Sequence, residues 1–126
     1  MSPHGSPEFD SYIKGWRERW AQQRSADRAA AREARQIAER LARLLRDAYG
    51  ARRVVLVGSL ARGEFQVGSD IDLAAEGIPD DRFFRAGADL EAAADGLHVD
   101  LVPIESAGPD FLAAIAREGI VLHEQR

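Results

Sequence analysis

Residues 54–73 constrain the fold of this chain more than any other stretch. Val54-Val55-Leu56-Val57 is an uninterrupted, mostly β-branched apolar run, as in a strand covered on both faces. Gly58-Ser59 ends it, and glycine there permits a sharp turn and close approach of a ligand to the main chain. After ten intervening residues comes Asp70-Ile71-Asp72-Leu73. On a strand, Asp70 and Asp72 project from one face, and Ile71 and Leu73 from the other. Paired carboxylates raise one another's pKa unless a cation neutralises them. Mg²⁺, a hard ion held by one or two carboxylates plus substrate phosphates, suits such a pair. The stretch therefore combines a phosphate-sized turn with a shelf for a divalent metal.

Around it the periodicities alternate. Residues 10–49 are helical in pattern, with Ile13, Trp16 and Trp20 on one stripe and Ala34, Ile37, Leu41, Leu44 and Ala48 on another. They form either one long helix or two with a bend near Gln23–Ser25, Ser25 then capping the second. Gly50 ends the segment. The second stripe packs on a sheet. The two tryptophans either fold back on the core or form a partner-binding arm, since exposed aromatic anchors near arginines resemble interface hot spots. A second strand covers 70–75. A helix over about 81–95 follows, capped by Asp80 or Asp81, with Phe83, Phe84, Ala88, Leu90 and Ala94 toward the sheet. Residues 98–104 read as a third strand, 111–118 as a helix capped by Asp110, and 120–122 as a short strand or apolar tail.

Composition limits the function. At 126 residues with no cysteine, the chain has room for one domain and no disulfide or thiolate metal site. That fits a reducing cytosol, and the expected location is cytoplasmic. No apolar run is long enough to span a bilayer. Residues 1–49 carry ten basic and seven acidic side chains, whereas residues 50–126 carry seven basic and fourteen acidic. An acidic motif-bearing half disfavours direct nucleic-acid binding and suits a metal site. Residues 1–9, including His4, read as a tag or disordered leader. The expected division is a single domain over 10–126, with a helical segment (10–49) and a core (50–126).

The string Gly58-Ser59-x-Ala61-Arg62-Gly63-Glu64…Ser69-Asp70-x-Asp72-Leu73 resembles the signature of the polymerase-beta-type nucleotidyltransferase superfamily. Within it, the string is similar to the minimal nucleotidyltransferases, small proteins encoded beside HEPN-domain ribonucleases. The likeness extends more loosely through His98-Val99-Asp100-Leu101-Val102. It implies an α/β (α+β) nucleotidyltransferase fold, a small mixed sheet flanked by helices, here with a long N-terminal helix. It also implies a magnesium-dependent enzyme, with two ions and ATP as substrate. Its expected action is that of an antitoxin, adding AMP to a tyrosine of the cognate HEPN toxin. Periodicity and charge identify none of these partners.

Asp70, Asp72 and Asp100 are the expected catalytic and metal-holding residues. Asp100 lies between Val99 and Leu101, and a carboxylate buried there unpaired costs several kcal/mol. It is accommodated if it faces the cations held by Asp70 and Asp72, and the resemblance makes it a general base or a metal ligand on the acceptor side. Gly58 and Ser59 are expected to donate hydrogen bonds to phosphate oxygens. Arg62 is either a phosphate contact or a partner of Glu64, and Ser69 either orients Asp70 or closes the turn. His98 shares the face of Asp100 and is a structural histidine, a partner of the site or a base. Glu76 and Glu105 read as solvated. Two other readings stand beside the antitoxin: a small-molecule transferase of the antibiotic-modifying kind, and a non-catalytic module that blocks a toxin by occlusion.

Overall fold

The computed structural model describes residues 7–125. Strands β1 (Arg53–Val57), β2 (Ile71–Glu76), β3 (Val99–Pro103) and β4 (Ile120–Glu124) form one mixed sheet in the order β3-β2-β1-β4. The apolar run thus occupies a central strand, and Val54 to Val57 are all buried. β1 is antiparallel to both neighbours, whereas β2 and β3 are parallel. Parallel neighbours need a crossover, and α3 (Phe83–Ala93) supplies it.

The period-two alternation sorts each strand's side chains between two layers. Val54, Leu56, Ile71, Leu73 and Val99 join the main core. Its other side comes from α1 (Pro7–Tyr49), through Ala34, Ile37, Leu41 and Leu45. On the opposite face Val55, Val57 and Ala74 pack with Ile104 and with Ile115 of α4 (Pro109–Glu118). That second layer is thin, and its face carries Asp72 and Asp100.

α1 is one unbroken helix of 43 residues, without the bend allowed for near Gln23–Ser25. Ser25 is therefore mid-helix and caps nothing. Good helix formers run through that region, and no proline interrupts them. Gly50 ends the helix at φ 69°, with its N–H on the Arg46 carbonyl (3.2 Å) and the Ala51 N–H on the Leu45 carbonyl (3.1 Å). Residues 7–9, expected in a leader, form the first turn of α1, while residues 1–6, with His4, lie outside the described residues. The helix is about 65 Å long at 1.5 Å per residue. Only its second half has residues in the core, so the first half projects as an arm. Trp16 and Trp20 do not fold back: they are 50% and 55% exposed.

Three other expectations change. The core-facing stripe of α3 is Ala86 and Leu90, continued by Ala94, with Phe83 partly buried; Phe84 (92% exposed) and Ala88 face solvent. A 3₁₀ turn, Asp80–Arg82, precedes the helix, so neither aspartate caps it by a side-chain bond. Gly108, not Asp110, is the cap residue of α4. Pro109 takes the first helical position, where its missing N–H costs nothing. Residues 120–124 pair with β1 as a true strand. Among the described residues, no helix is long and apolar enough to cross a membrane.

Candidate active site

The end of β1 and the start of β2 meet because Val57 and Asp72 are register partners. Gly58 follows at φ 73°, the left-handed region where any other residue is strained, and begins the five-residue helix α2 (Gly58–Arg62). A Cβ at Gly58 would overlap the Asp72 carboxylate oxygen and lie 3.0 Å from its carboxyl carbon. The turn backbone therefore packs directly on the carboxylate, and glycine is required there by both space and conformation. Gly63, at φ 77°, closes α2 with its N–H on the Leu60 carbonyl, while the Glu64 N–H bonds the Ser59 carbonyl (2.8 Å).

Asp70, Asp72 and Asp100 converge. Asp72 and Asp100 are register partners across the parallel β2–β3 pair. Asp70 precedes β2 rather than belonging to it: the ladder starts at Ile71, whose N–H bonds the His98 carbonyl (2.9 Å). That leaves Asp70 exposed at the strand entrance beside Asp100. Asp72 is half-buried, and its carboxyl is held above the usual carboxylate range. Burial is the main cause, then the charge and hydrogen bonding of Asp100, then the charge of Asp70; the Arg62 guanidinium acts the other way.

His98 belongs to this cluster. One ligand atom each from Asp70, His98 and Asp100 lies within 4.8 Å of the others, a grouping able to hold a metal ion. Its Nε2 is 3.1 Å from Asp100 Oδ1, and its Nδ1 is 2.5 Å from Glu91 Oε1. The same Glu91 oxygen accepts the Val99 N–H (3.0 Å). The Glu91 carboxylate is the chief cause of a raised His98 pKa, with Asp100 and Asp70 adding to it. Glu91 escaped the sequence reading, because it lies near the end of α3, a turn away from β3, and no motif marks it. His98 was legible through its shared strand face with Asp100.

The remaining candidates divide. Arg62 pairs with Glu64 (3.2 Å) and Glu118 (3.7 Å) at the edge of the site. The Ser69 hydroxyl accepts the Gln66 N–H (3.0 Å) and the Ser69 N–H bonds the Gln66 carbonyl (2.9 Å), so its visible work is to close the turn before Asp70. Glu76 and Glu105 are both engaged: Glu76 with Arg52 (3.6 Å), and Glu105 with the Gly77 N–H (2.8 Å). A pocket of about 230 Å³ opens beside Asp72, walled by Val57, Gly58, Arg62, Phe111 and Ile115. A largely apolar recess flanked by a carboxylate cluster can seat a flat organic group next to a charged one.

A family model described as the nucleotidyltransferase domain matches residues 34–123. No curated protein matches the chain. Among solved structures, the chain is similar to one described as a minimal nucleotidyltransferase, at 30% identity and TM-score 0.60, over 71% of this chain and 93% of that one. It is also similar to a toxin–antitoxin crystal structure with AMP-PNP, at 26% identity and TM-score 0.62, over 71% and 74% of the two chains. A Shewanella oneidensis complex of MNT antitoxin with a tri-AMPylated HEPN toxin shares the fold, at 23% identity and TM-score 0.58, over 73% of each chain. The arm of α1 precedes the segment that the family model matches.

Proposed function

The chain belongs to the nucleotidyltransferase-domain family, and from that premise we propose that it is an antitoxin that transfers AMP from ATP to a tyrosine hydroxyl of a cognate HEPN-domain ribonuclease toxin. The cytoplasm is its place of action. The observation that carries the chemistry is the Asp72 carboxyl, held above its ordinary range between Asp70 and Asp100 on a thinly covered sheet face. Three carboxylates gathered at one end of the sheet, one of them half-buried, are accommodated by a divalent cation with a triphosphate. The donor set also fits the ion, since Asp70, Asp72 and Asp100 offer hard oxygens.

In this reading Asp70, Asp72 and Asp100 hold two Mg²⁺ ions. Bound magnesium neutralises the triphosphate and lowers the pKa of the acceptor hydroxyl. The protein supplies position and proton handling. Gly58 and Ser59 donate hydrogen bonds to phosphate oxygens, and Arg62 adds a guanidinium at the rim. Asp100 receives the hydroxyl proton, with His98 and Glu91 fixing its carboxylate. The acceptor oxygen forms a bond to the α-phosphorus as the bond from that phosphorus to the bridging oxygen breaks, and pyrophosphate leaves. ATP as donor is supported by the AMP-PNP in the similar toxin–antitoxin structure. The HEPN partner and its tyrosine rest on the sequence resemblance.

The test is incubation with Mg²⁺, α-labelled ATP and the HEPN product of the neighbouring gene. Label on a toxin tyrosine, absent with Asp72→Asn, is the expected result. Label on an aminoglycoside instead would support the antibiotic-modifying class. Toxin neutralisation that survives Asp70→Asn and Asp72→Asn without any label would leave only occlusion.

A further inference from the structure

The arm of α1 is self-complementary, and we propose that it pairs antiparallel with the arm of a second copy of this chain. Ile13, Trp16 and Trp20 continue, in phase, the helix face that Ala34, Ile37 and Leu41 bury in the core. Spacing that alternates between three and four residues is the seam of a two-helix coiled coil. Trp16 and Trp20 touch only along their own helix, at 5.5 Å between ring centroids, and both are at least half exposed. The one described side-chain hydrogen bond from this half of α1 to the body runs from the Val67 N–H to Asp27 (2.9 Å). A glycine (Gly15) inside the arm costs about 1 kcal/mol of helix stability, which packing against a second helix would offset.

Charge selects the partner and its direction. In an antiparallel pair with Ile13 of one copy opposite Trp16 of the other, the flanking positions bring Arg17 against the second Asp10. They also bring Arg19 against the second Tyr12, and each contact occurs twice by symmetry. Opposite charges and a cation over an aromatic ring then line both edges. A parallel pair in register would instead set Arg19 against the second Arg24, a like-charge contact. The antiparallel arrangement places the two catalytic bodies at opposite ends of the pair, their near edges, taken at Asp27, roughly 40 Å apart. It does not depend on the transferase reading.

Sedimentation of the full chain alone tests the pairing. The expected result is a dimer at micromolar concentration. Arg17→Glu, which faces Asp10 with a like charge twice, should weaken it by roughly tenfold. The double variant Asp10→Arg with Arg17→Glu should restore it. Circular dichroism of each variant checks that the helix is retained. A monomer at all concentrations overturns the proposal. So does a dimer indifferent to Arg17→Glu, or one that the double variant fails to restore. An arm that leaves the chain monomeric yet binds the HEPN partner would mean that its occupant is that protein instead.

Discussion

At the residue scale, the tightest constraint is the contact between Gly58 and Asp72. Gly58→Ala meets two penalties, a left-handed backbone and overlap with the carboxylate. The backbone alone costs about 1–2 kcal/mol. We expect a lower urea midpoint together with loss of transfer; unchanged values of both would mean that the turn is not seated on Asp72. Asp72→Asn should act oppositely on the two properties. It removes a repelled charge, so the fold keeps or gains stability while transfer is abolished. The pH dependence follows from the raised Asp72 carboxyl. Across the range between its ordinary and raised pKa, the native state binds more protons than the unfolded state, so stability falls as pH rises. Thermal melts of the metal-free protein should show that fall in the wild type and a flatter profile in Asp72→Asn. Mg²⁺ should raise the wild-type melting temperature more than that of the variant.

At the element scale, the informative element is α3. At 3.6 residues per turn, Phe84 and Ala88 lie about 100° and 140° around the helix from Phe83, so they cannot share the stripe that Phe83, Ala86, Leu90 and Ala94 present to the sheet. Leu90→Ala should therefore cost about 2–5 kcal/mol. Phe84→Ser should stay within about 0.5 kcal/mol of wild type. Denaturant titrations separate these outcomes, and a large loss at Phe84 would reverse the assignment of faces. The central strands were legible for a simpler reason. Val54–Val57 has no polar residue to place, and the alternation at 70–73 allows one register with its carboxylates outside the core. The convergence of Asp70, Asp72 and Asp100 was likewise readable from parity along strands. Glu91 was not, because its contact with His98 depends on where α3 ends above β3. The caps failed too, because Asp80, Asp81 and Asp110 are good cap residues that the chain sets inside a first turn.

At the scale of the whole molecule, the chain is a small sheet carrying a helix far longer than the sheet needs. Its catalytic half, residues 50–126, carries seven basic and fourteen acidic side chains, whereas the projecting half of α1, residues 7–28, nearly balances five basic against four acidic. The arm has a further consequence. The chain contains two tryptophans, Trp16 and Trp20, and both are on the projecting half of α1. Indole emission therefore reports the arm and is silent about the catalytic sheet. In a urea titration at low protein concentration, the fluorescence midpoint should lie below the midpoint read from amide exchange in β1 and β2. Coincident midpoints would show that the light comes from a helix melting in one cooperative step with the sheet.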